Sequence, residues 1–131
     1  MPNRLAYAGR KLTIEFAELR NGSIPGLEFL NSLDTRWQAQ IHVLFQLLGD
    51  EGRISNREKF KRIEDTEFWE FKAFQVRMPC YYRSNALVVI THGFMKRSDR
   101  IRRGDLERAR NIKSEYEAIL DEGKNGGRRE Q

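Results

Sequence analysis

A chain of 131 residues, of which 39% are hydrophobic and 33% charged, is long enough for one compact domain and too short for two ordinary ones. No apolar run approaches the length of a membrane span, and the single cysteine, Cys80, excludes an internal disulfide and a cysteine-based metal site. The formal net charge is +5 at pH 7, and residues 51–110 hold fifteen Lys/Arg against nine Asp/Glu, which predicts a local basic surface and an anionic partner.

The first half of the chain predicts one strand and two helices. Residues Lys11–Phe16 alternate polar and apolar side chains, which indicates a strand. After turns that contain glycine and proline, a short helix is expected over Leu27–Leu33. A second helix is expected to begin at Asp34, a good N-cap residue, and to end at Gly49 and Gly52.

The second half predicts three strands and a last helix. Alternation of apolar and polar residues indicates strands over Phe68–Phe74 and Val76–Arg83, and the apolar run Ala86–Ile90 is typical of a central strand. An apolar stripe at helical spacing predicts a helix from about Asp105 to Asp121. Residues 123–131 are rich in glycine and charge, and they are expected to form a flexible C-terminal tail.

The resulting order, β-α-α-β-β-β-α, predicts a single α+β domain over residues 1–122, with its helices packed on one face of the sheet. The opposite face would then present Lys72, Arg77, Tyr81 and Arg83 to solvent. Such a face suits RNA, because cations bind phosphates and an exposed aromatic ring can stack on a base.

Several segments of the chain follow a known family pattern. Phe68–Lys72 (FWEFK), then Arg77, then Thr91–Arg97 (THGFMKR) match the order LWELR, R, LHxFxKK. The chain therefore resembles the phage-derived, HigB-type branch of the RelE/ParE toxin superfamily. Phe60–Ile63 and Gly104–Arg110 are similar to the segments that precede and follow this pattern in the branch. The resemblance covers nearly the whole chain except its ends.

The chain departs from the family pattern at three places. Lys72 stands where the pattern has arginine, so the charge is kept and the planar fork that binds two phosphate oxygens is lost. Arg97 replaces the second lysine, and Ser98–Arg102 (SDRIR) replaces TQKTP. The resemblance still implies a RelE-like fold, which is a small, mostly antiparallel sheet with two N-terminal helices and one C-terminal helix.

The resemblance implies a metal-free endoribonuclease that cuts messenger RNA on the ribosome. The nucleophile is the ribose 2′-hydroxyl, which the protein must align and deprotonate while it stabilises the charged phosphorane. Arg77 is the candidate phosphate clamp, His92 is the candidate acid or base with a buried structural histidine as the alternative, and Lys96 completes the predicted catalytic set. The predicted RNA-binding residues are Lys59, Lys61, Arg62, Lys72, Tyr81, Arg83 and Arg97. For those that precede the second predicted strand, a charged linker is the alternative.

Two other functions fit the same residues. One is a ParE-like toxin that inhibits DNA gyrase by binding it without catalysis, although the HGFxKR stretch at His92–Arg97 argues against it. The other is a degenerate domain that only binds its antitoxin or RNA. The resemblance implies a small helix-turn-helix antitoxin as partner and messenger RNA and the ribosome as targets. No cofactor, metal or membrane partner is expected, and the start of the chain, which lacks an apolar signal region, predicts a cytoplasmic protein.

Overall fold

The computed structural model describes residues 4–129, with side chains described through residue 123. In chain order the elements are β1 (Leu5–Ala8), β2 (Thr13–Phe16), α1 (Pro25–Ser32), α2 (Thr35–Glu51), β3 (Phe60–Arg62), β4 (Trp69–Ala73), β5 (Val76–Ser84), β6 (Leu87–Ile90), β7 (Phe94–Met95) and α3 (Arg103–Arg129). The strands form one sheet in the order β1-β2-β6-β5-β4-β3, and β7 pairs with β5. Only the β2–β6 pair is parallel among these strands. The predicted α+β fold class, with a mostly antiparallel sheet, is confirmed. None of the three helices described is both long and apolar enough to cross a membrane.

The structure contains three strands that the sequence pattern does not predict, namely β1, β3 and β7. They span four, three and two residues and are held by pairing with neighbouring strands. The last helix also differs from the prediction, because α3 continues through Arg129 instead of ending near Asp121. The backbone of residues 123–129, expected as a flexible tail, is therefore helical, and residues 130 and 131 lie outside the described part of the chain.

Helix α2 begins and ends as its sequence indicates. The Asp34 side chain accepts a hydrogen bond from the Arg36 backbone N–H at 2.9 Å, and Gly52 ends the helix in the left-handed region with φ 82°. Gly49, expected as an end residue, lies within the last turns. Its missing side chain allows the β1–β2 hairpin to approach, and the Lys11 backbone N–H donates to the Gly49 carbonyl oxygen at 2.8 Å.

The sheet is covered on both faces, which corrects the expectation that the helices pack on one face only. The main core lies beneath α1 and α2 and includes Ile14, Phe16, Ile41, Phe45, Leu48, Phe71, Met78, Val88 and Ile90. A second core lies beneath α3 and includes Ile63, Phe68, Tyr81, Val89, Ala109, Ile112 and Tyr116. Strand β6 shows the physical reason, because Val88 and Ile90 point to the main core while Val89 points to the second. A strand that is apolar on both sides needs cover on both sides.

The cover provided by α3 removes Tyr81 from the expected RNA-binding face, while Arg83 remains exposed. Tyr81 is 2% exposed, and its hydroxyl donates a hydrogen bond to Glu117 Oε2 at 2.6 Å. Arg83 pairs with the same carboxylate through Nε at 3.0 Å. The expected exposure of Tyr81 is therefore wrong, and both side chains attach α3 to β5. Burial and the hydrogen bond to Glu117 raise the pKa of Tyr81.

Replacing Tyr81 with phenylalanine is expected to lower the free energy of unfolding by about 1 to 3 kcal/mol, because a hydrogen bond to a charged acceptor is lost while the ring remains packed. Arg83 still neutralises Glu117, so no bare charge is created. Urea denaturation measures the effect. Tyr82→Phe is the matched control, since the hydroxyl of Tyr82 has no side-chain hydrogen bond to a described residue. Equal destabilisation by the two changes would contradict the role given to the Tyr81 hydroxyl.

Candidate active site

A groove runs between the β3–β4–β5 part of the sheet and the segment that leads from β7 into α3; it is called the basic groove below. Its larger part has a volume of about 380 Å³, and a smaller part adjoins it at Glu70 and residues 99–101. Its cationic lining residues are Lys61, Arg77, Lys96, Arg97, Arg100, Arg102 and Arg103. Its anionic lining residues are Glu64, Glu70, Asp99 and Asp105. The excess of cations gives the groove an affinity for phosphates.

Strand register brings the central charged residues together. Lys61 lies opposite Glu70 in the β3–β4 pair, and Lys72 lies opposite Arg77 in the β4–β5 pair. Opposed residues of paired strands have their side chains on the same face, about 4.5–5.5 Å apart at Cβ. Because alternate residues share a face, Glu70 and Lys72 lie on the same side of β4. The charges that are separated in sequence thus form one cluster.

Arg77 is held by the backbone of the β4–β5 hairpin. It is 9% exposed, and its Nη1 donates hydrogen bonds to the carbonyl oxygens of Phe74 at 2.8 Å and Val76 at 2.9 Å. Its Nε and Nη2 have no hydrogen bond to a described residue, so part of the guanidinium fork remains available to a ligand. Burial lowers the pKa of Arg77 while Glu70 opposes that shift; an arginine stays charged in a protein nevertheless.

The hairpin turn that holds Arg77 is strained. Phe74 has φ 55°, in the left-handed region that a bulky residue rarely adopts. The carbonyl oxygen of this residue is one of the two that bind Arg77. Its ring is stacked on Trp37 with centroids 4.6 Å apart, and Arg36 lies over the Trp37 ring. Strain of this kind persists where the surrounding structure holds it, and here it accompanies the fixed position of Arg77.

Glu70 is the residue of the groove that the sequence reasoning missed. It is 8% exposed, and its carboxylate takes part in no hydrogen bond or ion pair with any residue that the structure describes. Burial raises its pKa, while Arg77, Lys72, Lys61 and Lys96 act in the opposite direction. A signal was present in the sequence, because an acid interrupts a strand in the most basic segment of the chain.

The predicted cations at positions 61, 77, 96 and 97 line the groove, and Lys72 lies opposite Arg77 in the β4–β5 pair. Lys72 is half-buried, and its pKa is lowered by burial and by the neighbouring cations Lys61 and Arg77. Lys96 lies at the edge of the groove, with its Nζ 3.5 Å from Asp99 Oδ1. Its backbone N–H donates to the Gln75 carbonyl oxygen at 2.6 Å, which ties the segment after β7 to the β4–β5 turn.

The remaining predicted site residues lie elsewhere. Arg62 donates from Nε to the Thr66 carbonyl oxygen at 2.8 Å and so stabilises the turn after β3. Lys59 is exposed ahead of β3 and does not line the groove. Tyr81, which is buried beneath α3, and Arg83, which is exposed, both pair with Glu117.

His92 lies in the interior, which differs from the expected place of an acid or base in the groove. It is 2% exposed, its Nδ1 is 3.1 Å from Thr91 Oγ1, and its buried Nε2 has no hydrogen-bond partner among the described residues. Burial, together with Arg108, lowers the pKa of His92 to about 4. At neutral pH the imidazole is therefore uncharged, so the imidazolium form that serves as a general acid is scarce, and the ring lines neither part of the groove.

Comparison with known families supplies an independent finding. A family model described as phage-derived protein Gp49-like (DUF891) matches residues 28–114, a range that includes α2, the strands β3 to β7 and every residue of the basic groove. The Gp49-like proteins belong to the RelE/ParE-like toxin superfamily. No curated protein matches the chain in sequence.

Proposed function

Because the chain belongs to the phage-derived Gp49-like family of the RelE/ParE-like toxin superfamily, we propose that it is the toxin of a type II toxin–antitoxin pair. We propose further that it is a HigB-type endoribonuclease that cuts messenger RNA, on the ribosome and without a metal. The observation that carries this proposal is the basic groove, in which Arg77 is anchored on one side and free on the other. Such a function places the protein in the cytoplasm.

For this cleavage reaction the protein mainly has to position the reacting groups and to supply positive charge. RNA carries its own nucleophile, the 2′-hydroxyl beside the scissile phosphate, and attack on phosphorus gives a phosphorane with added negative charge. The free edge of the Arg77 guanidinium can meet two oxygens of that group. Lys61, Lys72 and Lys96 then hold the flanking phosphates, which aligns the attacking oxygen with the leaving one.

The proposed partner is a small antitoxin with a DNA-binding helix-turn-helix. Its inhibitory segment needs acidic or apolar groups to cover a groove in which cations outnumber anions. Covering Arg77 and Lys96 would exclude RNA directly. No cofactor is required by this proposal.

Induced expression of the wild-type chain is expected to stop bacterial growth and to create new messenger RNA 5′ ends inside translated reading frames. These ends should carry 5′-hydroxyl groups, because attack by the 2′-oxygen releases the 5′-oxygen. Mapping of RNA 5′ ends before and after induction measures both features. Growth arrest with intact messages would favour a ParE-like gyrase inhibitor, and absence of arrest would favour a degenerate domain that only binds its antitoxin or RNA; either result contradicts the proposal.

A further inference from the structure

Burial sets the unpaired carboxylate of Glu70 apart from the other acids of the groove, of which Glu64 and Asp99 are exposed and Asp105 is half-buried. Buried charged groups are normally paired or hydrogen-bonded, because removal from water is costly. Glu70 is buried, yet it has no hydrogen bond or ion pair with a described residue. It is also a wall residue of both parts of the groove. An arrangement that costs folding energy and faces a ligand space points to a functional group rather than a structural one.

The surroundings of Glu70 match the charges of a scissile phosphodiester. Lys61, Lys72, Arg77 and Lys96 all act on it electrostatically, and none forms an ion pair with it. A phosphate bound by these cations would lie beside the carboxylate. The ribose 2′-hydroxyl is the one proton-bearing nucleophile adjacent to that phosphate, so it is the group that a nearby carboxylate would meet.

We infer that Glu70 is the general base of RNA cleavage, an assignment that rests on the ribonuclease function proposed above. Its carboxylate accepts the proton of the 2′-hydroxyl, and the 2′-oxygen uses the freed electron pair to form a bond to phosphorus. The bond from phosphorus to the 5′-oxygen breaks, with its electron pair going to that oxygen, which takes a proton from water. Glu70 then returns its proton to solvent, and the products are a 2′,3′-cyclic phosphate and a 5′-hydroxyl.

The other candidates for the base are less well placed. His92 is buried and lines neither part of the groove. Glu64 is exposed, and Asp99 is exposed and lies 3.5 Å from Lys96. Burial raises the pKa of Glu70, which makes it a stronger proton acceptor than an ordinary carboxylate, while the four cations keep it available in its charged form.

The test is Glu70→Gln in the full-length protein, assayed with programmed ribosomes and with a free RNA oligonucleotide. Removing a general base is expected to lower kcat by about 100- to 10,000-fold, while RNA affinity stays equal or rises because an anion facing the phosphates is lost. Glu58→Gln is the matched control, since Glu58 is exposed and lines neither part of the groove; its cleavage rate should stay within about twofold of wild type.

A pH profile separates a base from a residue that only maintains structure. For the wild type, log kcat should rise with pH along an acidic limb, and that limb should be absent in Glu70→Gln. Glu70→Asp should cleave more slowly and keep the limb. Glu70→Gln is also expected to unfold at an equal or higher temperature, because the uncharged amide is cheaper to bury than an unpaired carboxylate.

The outcomes distinguish failure of this inference from failure of the proposed ribonuclease function on which it rests. If the wild-type protein cleaves no RNA in either assay, the proposed function fails and the inference fails with it. If the wild type cleaves and Glu70→Gln keeps its rate or its acidic limb, only the inference is overturned. Loss of RNA binding or of thermal stability together with cleavage would likewise overturn it in favour of a structural role. If Glu70→Gln does not fold, absence of the limb in Glu70→Asp overturns the inference and its presence supports it.

Discussion

Replacing Arg77 with lysine is expected to lower the rate of RNA cleavage by about 100- to 1,000-fold, the usual effect of removing one preorganised donor to transition-state charge. Lysine keeps the positive charge but not the planar fork, and it cannot donate to the Phe74 and Val76 carbonyl oxygens while also clamping two phosphate oxygens. The loss should therefore appear in kcat, with RNA affinity changed by only a few fold. Single-turnover cleavage of an RNA substrate measures it, and relief of growth arrest on induction gives the same answer in cells.

Arg83→Lys is the control for this prediction. Arg83 lies on the same strand as Arg77, yet its exposed side chain pairs with Glu117 of α3 and does not line the groove. Its replacement should leave cleavage within about twofold of wild type, since a surface ion pair contributes little. Equal losses in the two variants would indicate a general effect on β5, and an active Arg77→Lys variant would remove Arg77 from the catalytic groups.

Local signals explain which elements of the fold can be predicted from sequence. The limits of α2 follow from the hydrogen-bonding capacity of Asp34 and the positive φ that Gly52 adopts, and both belong to the residues themselves. The short strands β3 and β7 have no such signal, because two or three residues cannot display an alternation. They become strands only when folding places them beside β4 and β5.

Alternation along a strand gives the two faces but does not say which of them is covered. Alternation places Tyr81 on the same face as Arg77, yet Tyr81 is buried because α3 needs an apolar surface for Ala109, Ile112 and Tyr116. The apolar stripe of α3 was visible in the sequence. Because α1 and α2 already cover one face of the sheet, the apolar stripe of α3 has to pack on the other face. The two observations together predict a sheet that is covered on both faces.

The residues of the site also divide into those that the sequence predicts and those whose role depends on the folded structure. Cations at positions 61, 72, 77 and 96 could be predicted because charge and spacing are properties of the sequence. For Glu70 the sequence shows only an acid among basic residues, because its burial without a partner is defined by the folded chain. The interior position of His92 is also a tertiary property, because the residue follows the buried strand β6 and the chain turns toward β7 just after it.

Acid is expected to destabilise the protein through His92. The pKa of this histidine falls from 6.5 to about 4 on folding, so between these values the unfolded chain binds a proton that the folded chain does not. Stability is therefore complete above pH 6.5 and is lost as the pH falls. Integrated from pH 7.5 to 4, the loss from this one group is about 3 kcal/mol. His92→Gln, which cannot titrate, should lack this part of the slope in urea denaturation measured across the same range.

His42→Gln provides the matched control, because it removes the only other histidine of the chain from the exposed surface of α2. This variant keeps His92, so it should keep the part of the pH dependence of stability that His92 contributes. The carboxylates titrate equally in all three proteins, so their contributions cancel in the differences. The same variants also decide whether His92 belongs to the site. If its role is structural, folded His92→Gln cleaves RNA at a rate near that of wild type. Loss of cleavage by a folded variant that keeps the wild-type pH slope would instead mean that the imidazole reaches the groove and titrates there in its ordinary range.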